Sequence, residues 1–101
     1  MNAVIIFDVS NNANDHVVIS MKQKGYFATW NSNNNTNLFN LPHNVVWRPN
    51  TEFNQALSDL NQAILEVNST PFGKQQIQLQ RCLVLNATPW FAIPGQPVDF
   101  I

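Results

Sequence analysis

The sequence predicts an α+β fold: a four-stranded antiparallel sheet carrying two helices on one face, followed by an extended C-terminal tail. Three observations lead there. Short apolar runs suited to strands stand at four places along the chain. Two segments with apolar residues at helical spacing lie among them. Their order is β-α-β-β-α-β, the split βαβ or ferredoxin-like arrangement. The pieces leave no linker, so residues 1–101 form a single domain with a tail at 87–101.

Ala3 to Val9 is apolar on both alternating sets apart from Asp8, as expected of a central strand buried on two faces. Ser10, Asn11, Asn12 and Asn14 follow, all suited to cap a helix over about Ala13 to Lys24. Ala13, Val17, Val18 and Met21 give that helix its apolar stripe, and Gly25 is a plausible stop. Gly25 to Asn31 alternates bulky and small residues and reads as a second strand. Ser32 to Asn37 is a polar hairpin loop. Leu38 to Leu41 is a short apolar stretch that belongs to either flank. Val45, Val46 and Trp47 form a third strand, also expected to be central and ended by Pro49.

The second helix opens at Asn50 or Thr51, both capping residues. Phe53, Ala56, Leu57, Leu60, Ala63, Ile64 and Val67 make one apolar face. It stops before the Pro- and Gly-containing loop Asn68 to Gly73. Lys74 to Ala87 reads as the last strand. Strict alternation sets Ile77, Leu79, Leu83 and Leu85 on one side with Arg81 among them, and Gln78, Gln80, Cys82 and Val84 on the other. The tail carries Trp90, Phe91, Ile93, Val98, Phe100 and Ile101, but Pro89, Pro94 and Pro97 forbid a helix. Trp90 to Ile93 is expected to dock on the sheet or on a neighbouring subunit.

Composition narrows the functional classes. The charged fraction is 11% and the formal charge is -1, with Asn and Gln filling the polar surface. Proteins that grip a phosphate backbone carry a basic excess, so tight nonspecific binding to RNA or DNA is disfavoured. Cys82 has no cysteine partner and reads as a small buried apolar residue. No run reaches the ~20 apolar residues of a membrane span. AVIIF is too short for a secretory signal and has no basic leader. A cytoplasmic, bacterial protein is expected, and the sequons at Asn34, Asn68 and Asn86 carry no glycan.

One face of such a sheet has no helices over it. Phe27 or Trp30, Trp47, Val84, Trp90, Phe91 and Phe100 exceed what two helices can cover. Large exposed apolar patches are rare on monomers, so a twofold homodimer is expected, with Trp47, Trp90 and Phe91 in the interface.

The opening MNAVIIFDVS, a strand-one motif ending in Asp8, resembles the start of the small CRISPR-associated ferredoxin-like endonucleases. It is similar also to their toxin–antitoxin relatives, including the GhoS-type antitoxin that cuts messenger RNA. NVVWRPNTEFNQALSDLNQAI resembles the passage from strand three to helix two in small members of that group. The resemblance implies a dimer in which Asp8 lies near the twofold axis, where two copies hold Mg²⁺. Only Asp8 carries over, and the chain after it is uncharged until Asp15.

Two roles stand open for Asp8. Paired across a dimer axis, its carboxylates suit a hard cation whose bound water attacks a phosphodiester. Alone, it accepts backbone N–H bonds in the turn that follows. Arg48 and Arg81 are the candidate phosphate-steering residues. The other reading of Arg81 is an ion pair at the core edge or an interface, with Asp99 or Glu66. His16 and His43 cannot form a metal pair at their spacing, and neither a Ser-His-Asp set nor a phosphate loop exists. The first functional expectation is therefore a homodimeric interaction module that binds another protein and needs no cofactor. The alternative is a metal-dependent endoribonuclease or RNA-binding antitoxin using Asp8.

Overall fold

The alternation in β1 (Ala3–Val9) decides the architecture. Ala3, Ile5, Phe7 and Val9 are buried, while Val4, Ile6 and Asp8 are half-buried on the opposite face. The computed structural model describes residues 1–31, 38–70 and 76–87. It shows an α+β fold in the order β1, a 3-10 turn, α1 (Asn14–Gln23), β2 (Thr29–Asn31), β3 (Leu38–Asn40), β4 (Val45–Arg48), α2 (Phe53–Asn68) and β5 (Leu79–Asn86). A three-stranded antiparallel sheet runs β4-β1-β5, and β2 and β3 form a separate two-stranded hairpin.

Register assigns every side chain of the sheet to a face. On one side of β1, Ile5 pairs with Val46 and Val4 with Trp47. On the other, Ile5 pairs with Val84, Phe7 with Cys82, and Asp8 with Arg81. The odd residues of β1 therefore share a face with Val46, Cys82 and Val84. Both helices lie on that face. Val17 and Met21 of α1 and Ala56, Leu60, Ala63, Ile64 and Val67 of α2 join the odd residues of β1 in one core. Each large aliphatic or aromatic side chain buried there contributes about 1.5–3 kcal/mol before ordering costs.

The last strand departs from strict alternation. The register slips between Asp8 and Val9, so that Val9 faces Leu79 and Gln80 is the extra residue of a bulge. One inserted residue exchanges the two faces beyond it. Ile77 is buried and Leu79 packs on the core, with Cys82 and Val84, whereas Leu83 and Leu85 stay on the far face. Val84, expected in the apolar surplus of the open face, is thus a core-side residue.

The edge beside β4 also differs from expectation. A full second strand does not form there. A single antiparallel bridge, Phe27 to Trp47, stands in its place, and among the described residues β1 is the one strand flanked on both sides by strands. The next acceptor that a longer ladder would use, the Thr29 carbonyl, is taken by the Trp47 indole at 2.7 Å, and the Val45 N–H that would face it donates to the Pro42 carbonyl at 3.0 Å. The chain turns away into the β2–β3 hairpin, with Trp30 opposite Phe39.

Helix ends follow backbone chemistry more than side-chain caps. Neither α1 nor α2 has a side-chain cap bond at its N-terminus. Asn11, Asn12 and Asn50 instead adopt left-handed φ of 62°, 54° and 53°, which Asn tolerates better than most residues. Asn14 Oδ1 accepts from Val9 N–H, and Thr51 Oγ1 donates to the Pro49 carbonyl. Gly25 ends α1 as expected, at φ 91°. The loop at 32–37 and the tail from Thr88, with Trp90 and Phe91, lie outside the described residues.

Candidate functional site

The even residues of β1 build the side of the sheet that, among the described residues, carries no helix. Val4 is flanked by Trp47 and Leu85, and Ile6 by Val45 and Leu83. Phe27 extends the strip past β4, its ring 5.3 Å from that of Trp47. Phe27 is 48% exposed, Leu83 53% and Leu85 43%, while Val4, Ile6, Val45 and Trp47 are half-buried. Seven apolar side chains thus run from one edge of the sheet to the other.

Asp8 and Arg81 close one end of this strip. They are cross-strand neighbours, and Arg81 Nη2 donates to Asp8 Oδ2 at 2.8 Å. Asp8 does not tie down the turn after β1. Asn14 does so through Val9, together with Ser10, whose N–H donates to the Gln78 carbonyl and whose hydroxyl accepts from Gln78 N–H. The partner of Arg81 is Asp8; Glu66 is engaged elsewhere. A depression of about 450 Å³ opens beside the pair, lined by Ile6, Phe7, Asn44, Cys82 and Leu83 as well. It forms because β4 stops short of the end of β1: Phe7 N–H donates to the Asn44 carbonyl, and the pairing goes no further.

Among the described residues, the donors around Asp8 in one chain are fewer than a hard divalent cation takes. Such an ion takes six or more oxygens. Asp8 supplies one carboxylate, and a guanidinium already sits on it. Among the described residues, no three His, Cys, Asp or Glu side chains converge.

The two candidate phosphate-steering residues are not brought together. Arg81 is on the helix-free face and 81% exposed at its side chain. Arg48 pairs with Ala3, which places it on the helix side. There its Nη1 donates to Asp59 Oδ2 at 3.3 Å, and its guanidinium stands 5.6 Å from the Tyr26 ring centre. The Tyr26 hydroxyl donates to the same Asp59 oxygen at 2.8 Å. Burial first, then the Asp59 hydrogen bond and charge, hold the Tyr26 phenol well above its ordinary value. This cluster joins α2 to β4 and to the segment after α1, and periodicity alone offers no signal for it.

A second polar clamp joins the helices. Lys24 Nζ and Ser20 Oγ both donate to Glu66 Oε1, at 2.6 and 2.8 Å. Those two bonds hold the Glu66 carboxyl below its ordinary value. Cys82 is half-buried, and burial pushes its thiol up, which suppresses the nucleophilic thiolate. His16 and His43 are both exposed, on α1 and in the turn before β4.

Comparison with protein-family models, curated proteins and solved structures finds no match to the chain. No helix among the described residues is long and apolar enough to cross a membrane.

Proposed function

We propose that the chain is a homodimeric interaction module of ferredoxin-like fold, cytoplasmic, that self-associates through its β4-β1-β5 sheet and has no catalytic role. Three features support the fold. The strand order is β4-β1-β5, every pair is antiparallel, and Phe27 bridges the outer edge of β4 where a fourth strand belongs. The observation that carries the function is the apolar strip on the helix-free face. Its two charged side chains, Asp8 and Arg81, cancel each other. A neutral strip with one charge of each sign suits a copy of itself better than an acidic or basic partner.

Covering what Phe27, Leu83 and Leu85 still expose on both copies returns on the order of 6 kcal/mol, no more than the rigid-body cost of association. The interface therefore also uses the half-buried residues of the strip or backbone hydrogen bonds at its edge. Size-exclusion chromatography with light scattering tests the reading. A dimer is expected in the micromolar range, and a monomer at high micromolar concentration removes the reading's main support.

The alternative is an endoribonuclease or RNA-binding antitoxin of the CRISPR-associated and GhoS-like type, with Mg²⁺ held between two copies of Asp8. One observation favours it: Asp8 and Arg81 lie together beside a depression of about 450 Å³ on the sheet face. Incubating the protein with RNA and Mg²⁺ tests it. Intact RNA, or cleavage unchanged by Asp8→Ala, ends this alternative.

A further inference from the structure

The outer edge of β5 carries a pairing pattern complementary to itself. Ala87 N–H donates to the Asn2 carbonyl, so residues 2 and 87 form a hydrogen-bonded pair. In an antiparallel ladder such pairs alternate with non-bonded ones. Leu85, Leu83 and Arg81, opposite Val4, Ile6 and Asp8, therefore turn their backbone groups toward β1. Cys82, Val84 and Asn86 turn theirs outward. Among the described residues, none hydrogen-bonds to these outward groups. Natural edges of this length usually carry lysine or proline against stray pairing. This one, LQRCLVLN, has neither.

We infer that β5 pairs antiparallel with β5 of a second copy, about a twofold axis through Val84, and so joins two sheets into one. The inference rests on the homodimeric reading above and names its interface. In this register Val84 meets its own copy, and Cys82 meets Asn86 in both directions. All the outward N–H and C=O groups of the three residues then find partners. The intervening residues follow without adjustment. Leu83 falls opposite Leu85 of the other copy, and Leu85 opposite Leu83. Four leucines, each about half exposed in one chain, close over the seam on the helix-free side. Arg81 falls opposite Ala87, so no like charges meet across the seam. A shift of the axis to Cys82 or Asn86 leaves outward groups of one chain beyond the other's matching set, and it separates the leucines. The strip from Phe27 to Leu83 then runs unbroken across both copies.

Two measurements on the full chain test this register. The first compares Val84→Pro with Val84→Ala by sedimentation equilibrium. Proline removes an N–H that points away from β1, so the chain's own ladder stays intact. Alanine removes the same side chain and keeps the N–H. The expected result is a dimer dissociation constant at least ~10-fold weaker in Val84→Pro than in Val84→Ala, the loss of two edge bonds at the axis.

The second measurement uses a Cys82→Ser background and mild oxidation. Leu83→Cys chains mixed with Leu85→Cys chains should form a disulfide-linked dimer, because non-bonded antiparallel pairs bring Cα atoms within disulfide reach. Each variant alone should link far less. A dimeric wild type with no preference for the mixed disulfide, or with Val84→Pro as tight as Val84→Ala, overturns the β5 pairing and leaves the homodimer standing. A monomeric wild type overturns both.

Discussion

Asp59 is the residue whose removal tests the packing account most sharply. Its Oδ2 accepts from the Tyr26 hydroxyl at 2.8 Å and from Arg48 at 3.3 Å, and its Oδ1 accepts from Gln55 at 2.7 Å. Tyr26 is 2% exposed, so its hydroxyl loses its acceptor in a largely buried setting when Asp59 is gone. Stranding a buried donor costs about 1–3 kcal/mol. The Arg48 guanidinium is 36% exposed and adds about 0–1 kcal/mol after solvent screening. The Gln55 pair is exposed and adds a few tenths. Asp59→Ala should therefore cost about 1–4 kcal/mol, and Tyr26→Phe about 1 kcal/mol because donor and need vanish together. The double variant should fall short of the sum by about 1–2 kcal/mol. Urea unfolding of the four proteins at one fixed concentration measures this coupling. Effects that add to within ~0.5 kcal/mol would refute the shared role of Asp59.

Four further outcomes follow from named contacts. The Tyr26 phenol is held above its ordinary 10.0, so its contribution to stability is complete below pH 10 and is lost as pH rises beyond it; thermal melts should show this alkaline loss in wild type and much less of it in Tyr26→Phe. Glu66 is held below its ordinary 4.5 by Lys24 and Ser20, so the helix–helix clamp is in place above that pH and fails as pH falls below it; Glu66→Gln should flatten this acid limb of the melting curve. Leu60→Ala, at a fully buried position, should cost about 2–5 kcal/mol in urea unfolding. Deleting Gln80 removes the bulge and leaves Leu79 beside Arg81, still opposite Val9, so Ile77 and Leu79 keep the core face and the deletion should cost less than about 1 kcal/mol by the same assay.

The strands and helices that make the core were legible because their period is set by burial. α2 repeats at helical spacing and buries Ala56, Leu60, Ala63, Ile64 and Val67 of the expected face while Phe53 and Leu57 stay exposed, and β1, expected to be buried on two faces, is fully buried on one and half-buried on the other. Three features were not legible, each for a physical reason. The bulge at Gln80 inverts the faces of everything before it in β5, and a polar Gln in an alternating run carries no mark of being unpaired. The second strand reduces to one bridge because the Trp47 indole takes the Thr29 carbonyl, a tertiary choice. The ion pairs join residues far apart in sequence, Asp8 with Arg81 and Lys24 with Glu66, and only register and helix packing select among so few charges. At the site, Trp47 was placed on the helix-free face, while Arg48 proved to lie behind the sheet from Arg81.

The most direct test of the account is the mass of the particle in solution. Sedimentation equilibrium of the wild-type chain beside Leu83→Arg reads it without a ligand. The account predicts a particle of twice the 11.5 kDa chain mass for wild type. It also predicts a shift toward monomer in Leu83→Arg, which sets like charges into the leucine cluster at the seam. An 11.5 kDa particle at high micromolar concentration would contradict self-association. A dimer indifferent to Leu83→Arg would contradict its location on the sheet.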